Sequence, residues 1–119
     1  MASDADVSIE KEYVVRSKKV FLSLTIGEGQ FGTSDVFLDD DRLLRASGPL
    51  KVLLGNGSDI VGKTVIVRSV VNDVSSATNK MSVTYRLTGG AATAEFIARG
   101  KVVRAGDLLI FEATFALAA

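Results

Sequence analysis

Residues 80–88 alternate without a break: Met81, Val83, Tyr85 and Leu87 are apolar, while Lys80, Ser82, Thr84, Arg86 and Thr88 are polar. A period of two puts successive side chains on opposite sides of an extended chain, so this segment reads as a strand with one face on a core and one in water. The pattern recurs at Val20, Leu22, Leu24 and Ile26 around Ser23 and Thr25. It returns at Leu109, Phe111, Ala113, Phe115 and Leu117 around Glu112 and Thr114. These three apolar faces are expected to supply much of one core.

Weaker strands are expected over 7–15, 33–38, 50–54 and 93–103, with Gly89-Gly90 and 104–107 as reversals, so the second half reads as a meander. Short runs of Val, Ile, Thr and Phe cut by Gly, Asp and Asn at this density give an all-β fold. The expectation is an antiparallel sandwich or small barrel of about seven to eight strands. Residues 1–6 read as a flexible tail and 7–119 as a single β domain. Phe21, Phe37, Phe96, Phe111 and Phe115 are expected mostly in the core, with Phe31 held out in a glycine-rich loop.

Cysteine and histidine are both absent. That removes disulfides, thiolate and imidazole metal ligands, thiol nucleophiles and the usual neutral-pH general base together. Lys+Arg and Asp+Glu each number 14, so no net field draws the chain to nucleic acid or anionic lipid. The opening Met1-Ala-Ser-Asp-Ala-Asp6 has no charged and apolar leader, and no stretch approaches the ~20 apolar residues of a spanning helix. Cytoplasmic residence and no membrane contact are therefore expected.

Gly57-Ser-Asp-Ile-Val-Gly62-Lys63-Thr64 matches the phosphate-binding loop G-x-x-x-x-G-K-[ST] at every fixed position. In such a loop backbone N–H groups cradle phosphates, Lys63 neutralises the β/γ oxygens and the Thr64 hydroxyl completes a Mg²⁺ shell. The chemistry needs a helix to follow, and Val67, Val70, Val71 and Val74 do fall at helical spacing. Six of residues 65–74 are β-branched, however, which favours a strand. Nor does a second strand end in the Asp that the Mg²⁺ shell requires, Glu112 being the nearest substitute. A turn entering a strand is the preferred reading, with a minimal ATP/GTP binder using Gly57, Gly62, Lys63 and Thr64 as the alternative.

Gly27-Glu-Gly-Gln-Phe-Gly32 is a literal G-x-G-x-x-G, and residues 26–32 resemble the glycine-rich loop of protein kinases. The likeness ends there: Ser34 stands where valine belongs, and no V-A-I-K, H-R-D or D-F-G follows. A hairpin loop is expected instead. Asp39-Asp40-Asp41 lacks the spacing of a calcium loop and reads as a solvated turn. Arg16, Lys18 and Lys19, and Arg99, Lys101 and Arg104, form basic clusters without interleaved aromatics, so no nucleic-acid platform is expected.

By elimination the chain reads as a non-catalytic binding or structural module with no cofactor and no metal, engaging a protein partner or itself. The loops at 27–33, 39–42 and 55–62, with Phe31, Asp39, Asp40 and Asp41 as contact residues, are the expected surfaces. A hydrophobic end over 111–119, free to pair as an edge strand, suggests a homo-oligomer.

Overall fold

The computed structural model describes residues 5–119. Among them are nine strands: β1 (Val7–Val14), β2 (Lys19–Gly27), β3 (Phe31–Leu38), β4 (Asp41–Ser47), β5 (Leu50–Asn56), β6 (Thr64–Asn72), β7 (Lys80–Thr88), β8 (Ala94–Lys101) and β9 (Leu108–Ala118). One helical turn, α1 (Gly57–Ile60), precedes β6. The strands make two facing sheets, one of five in the order β1-β9-β6-β3-β4 and one of four in the order β5-β2-β7-β8. Neither sheet closes on itself, so the all-β fold is a sandwich and not a barrel.

The strand beyond the seven or eight expected is β4, which lies at a sheet edge and alternates only over 43–47, where Leu44 and Ala46 pack half-buried against the core. Pairing is antiparallel except at the other edge, where β1 runs parallel to β9 from Val7 opposite Phe111 to Val14 opposite Ala118. The second half is not a meander. Of its strands only β7 and β8 form a hairpin with each other, while β6 and β9 pair in the opposite sheet. A half-buried strand can meet its sequence neighbour edge to edge or across the core, and periodicity is the same in both cases.

Residues 111–119 are likewise not an available edge, because β9 is flanked by β1 and β6. Asp6 is tied down rather than flexible: its N–H donates to the Ile110 carbonyl at 2.8 Å, and its Oδ2 accepts from the Ile110 N–H at 2.8 Å. Residues 1–4 of the expected tail lie outside the described residues.

Every inward residue of the three strong alternations is buried between the sheets except Ile26 and Leu109, which pack half-buried at the margin of the core. Ser34 and Ser69 face this core and satisfy one another through a 2.6 Å hydroxyl pair. Phe111 and Phe115 are fully buried, and Phe96 packs against the core, whereas Phe21 and Phe37 stand on the outer faces of their sheets, a correction to the core expected from them. Tyr85 is fully buried with its ring edge-on to Phe115 at 5.7 Å, and its hydroxyl has no hydrogen-bond partner among the described residues.

A buried unpaired hydroxyl is destabilising, so Tyr85→Phe is expected to raise unfolding stability by about 1–2 kcal/mol, read from the urea midpoint at constant slope. Burial also raises the Tyr85 pKa above its ordinary value of 10.0. The unfolded chain therefore loses this proton first, and stability falls as pH rises above about 10. That alkaline slope is expected to shrink in Tyr85→Phe; an unchanged slope and midpoint would contradict the assignment.

Candidate functional site

The phosphate-loop sequence folds as a turn that enters a strand. Gly57 to Ile60 form α1, and Thr64 opens β6 where a nucleotide loop needs a helix. Four of its backbone donors are already used within the protein: Gly57 N–H to the Lys18 carbonyl (2.8 Å), Val61 N–H to Gly57 (3.0 Å), Gly62 N–H to Leu117 (2.8 Å) and Lys63 N–H to Ile60 (3.0 Å). The Thr64 N–H donates to Asp39 Oδ1 at 3.0 Å, which sets a carboxylate where a phosphate cradle needs free donors.

The other glycine motif is equally architectural. Glu28 and Gly29 take positive φ (62° and 70°) in a tight turn closed by the Gln30 N–H on the Gly27 carbonyl, which carries the chain from β2 in one sheet to β3 in the other. At Gly32 a Cβ would lie 2.7 Å from both the Val70 carbonyl and Ile26 Cδ1, so the last glycine is set by close packing. Gln30 between them is buried and makes four hydrogen bonds to residues 74–80.

The expected contact residues do not converge. Phe31 opens β3 and is 51% exposed, while Asp39 and Asp40 form the hairpin turn beyond its far end, roughly 25 Å along the strand. Asp39, with φ 50°, spends its carboxylate on Thr64, and Asp40 and Asp41 are exposed. No group of three or more potential metal-ligating side chains occurs among the described residues. Nor does any helix among them have the length and apolarity to cross a membrane.

The outer face of the four-stranded sheet is what the fold assembles. Cross-strand register aligns Lys51, Ser23, Arg86 and Glu95 in one row, with Thr25, Thr84 and Ile97 in the next. Ser82 sits beside Arg99, and Lys80 beside Lys101, in the rows that follow. Lys51, Lys80, Arg86, Arg99 and Lys101 are all exposed here, and Glu95 is the one carboxylate among these rows. The chain's zero net charge thus hides a basic face.

Short hydroxyl side chains along the middle strands leave a shallow depression of about 200 Å³ lined by Ser23, Thr25, Thr84, Arg86 and Glu95. At one side Phe21 lies under the Lys51 ammonium, 5.0 Å from the ring centroid, and Leu53 (45% exposed) stands beside it. In sequence the polar half of 80–88 is only the water-facing side of one strand. The cations come from β5, β7 and β8, and only strand register brings them together.

No protein-family model, curated protein or solved structure matches the chain.

Proposed function

We infer that the protein is a non-catalytic binding module that captures an acidic protein segment on the outer face of its four-stranded sheet. The observation that carries this reading is the charge segregation: five exposed cations against Glu95, in a chain with no net charge. Arg86 sits centrally, in a row between Ser23 and Glu95, where a partner carboxylate gains a guanidinium fork with hydroxyl donors alongside. Exposed Ile97 and Leu53 offer apolar contact at the margins, as protein interfaces use it.

A protein ligand fits better than a nucleic acid. Phe21 is the single aromatic ring on the face and already carries Lys51, which leaves no stacking platform, and Glu95 repels phosphate in the central row. Catalysis has little to work with, since the depression holds no histidine, cysteine or paired carboxylates.

The test uses poly-L-glutamate as probe, titrated into the protein at low and high salt. Binding is expected to weaken as salt rises and to drop at least about tenfold in Arg86→Glu, with thermal unfolding lowered by no more than about 5 °C, because the new carboxylate faces Glu95 across the strand pair but both are exposed. Equal binding by Arg86→Glu, or tighter binding of a single-stranded DNA oligomer than of polyglutamate, would overturn the reading.

A further inference from the structure

The outer face of the five-stranded sheet carries a different pattern, one that matches itself. Register places Glu112, Arg68, Asp35 and Arg45 in one row across β9, β6, β3 and β4, with charges that alternate in sign. Within the protein Arg68 pairs with Glu112 at 3.0 Å, and Arg45 reaches Asp35 at 3.4 Å. The flanking rows are half apolar: Ile110 and Val70 with Thr33 and Ser47 on one side, Ile66 and Phe37 between Thr114 and Arg42 on the other. Beyond the first of these, Leu108 and Phe31 are 49% and 51% exposed on either side of Asn72.

We propose that this face binds a second copy of the chain, forming a twofold dimer whose axis runs along the strands between β6 and β3. Such an axis reverses each row against its own copy. Arg68 then meets the second copy's Asp35, Glu112 meets its Arg45, Ile66 meets its Phe37 and Val70 meets its Thr33. Moving the axis by half a strand spacing onto β6 would set Arg68 against Arg68 and Glu112 against Asp35, so the charge row fixes the register as well as the partner. Aligned sheet packing keeps strands within about 30° of each other, and the contacts nearest the axis, those of Arg68 and Asp35, are least disturbed by that angle. The four-strand footprint is roughly 20 by 25 Å, at the small end for stable interfaces, so association in the micromolar range is expected. The basic face lies on the opposite side of each copy and stays open, so the dimer does not depend on the acidic-partner reading.

Sedimentation velocity up to about 1 mM protein tests the dimer, and a charge swap tests its geometry. Arg45→Glu and Glu112→Lys are each expected to weaken self-association at least about tenfold, since each sets like charges opposite. Mixed in equal amounts, the two variants are expected to associate again, within about threefold of the parent, because the mixed pair restores both contacts. Phe31→Glu, at an exposed position off the charge row, supplies a second reading should Glu112→Lys unfold, and a tenfold loss is expected there also. A parent that stays monomeric throughout, a Phe31→Glu chain that dimerises like the parent, or folded charge variants that fail to recover on mixing would overturn the proposal. Arg86→Glu leaves the dimer unchanged if the two faces act separately.

Discussion

Gly57→Ala is expected to lower unfolding stability by at least about 3 kcal/mol, whereas Lys63→Ala, six residues on in the same motif, changes it by less than about 0.5 kcal/mol. At Gly57 a Cβ would fall onto the backbone carbonyl of Arg16, far inside any permitted contact, and backbone cannot rotate aside as a side chain does. Relief requires the chain at residues 16–18 to move away from α1. That movement breaks the 2.8 Å bond from the Gly57 N–H to the Lys18 carbonyl, which joins the β1–β2 crossing to the β5–β6 crossing. Lys63 is exposed, and the groups it contributes to the fold are its backbone N–H and carbonyl, both of which alanine retains.

Thermal unfolding of the two variants measures the contrast directly. A loss of about 3 kcal/mol corresponds to roughly 10 °C in a domain of this size. A nucleotide loop predicts a different pair of results, with Lys63→Ala carrying the larger effect on ligand binding and Gly57 serving flexibility alone. Equal stability of Gly57→Ala and the parent would mean that the β1–β2 connection does not sit against α1.

The legibility of these features follows from the range of the interactions that create them. Alternation over 80–88 and 109–117 is local, and the strands stand where it puts them. The turn at 104–107 was legible for the same reason, and it closes with the Asp107 N–H on the Arg104 carbonyl at 3.3 Å. Strand β4 carries no clear period in sequence because the pairing shifts register there: Val36 faces Leu44 and Phe37 faces Arg42, so Leu43 is an extra residue and two leucines stand side by side.

Which sheet each strand joins is a long-range choice, and so is everything built on it. Lys51 and Arg99 lie on one face because β5, β2, β7 and β8 are neighbours, a fact no window of residues contains. The alternating row from Glu112 to Arg45 spans four strands and was invisible for the same reason. The glycine motifs failed in the opposite direction. Their spacing is real but arises from positive φ and close backbone approach at sheet crossings, demands that a phosphate loop happens to share.

Gln30→Ala is expected to destabilise the fold by about 3 kcal/mol, although sequence reading gave this residue no role. The Gln30 amide is buried beside three sheet-crossing connections. Its Nε2 donates to the Thr78 and Lys80 carbonyls at 3.1 and 3.0 Å, and its Oε1 accepts from the Val74 and Ser75 N–H groups at 2.8 and 2.9 Å. One side chain thus satisfies four backbone groups of the β6–β7 crossing and fastens them to the β2–β3 turn. Asp73, next to this loop, accepts from the Gly106 N–H at 3.3 Å, while its own N–H donates to the Asp107 carbonyl, so the β8–β9 crossing hangs on the same cluster. Truncation leaves all four groups without partners. Water can reach some of them, since Val74 is 61% exposed, which holds the expected loss below the sum of four fully buried bonds. Hydrogen exchange at Val74 and Ser75 is expected to accelerate before global unfolding does, because the loop is released first. Gln30→Glu separates geometry from mere packing. A carboxylate keeps both acceptor contacts but turns lone pairs toward the Thr78 and Lys80 carbonyls, so it is expected to match or exceed the alanine loss at neutral pH and to recover in part as acid protonates it. Stability within about 1 kcal/mol of the parent in both variants would show that the crossings hold without the clamp.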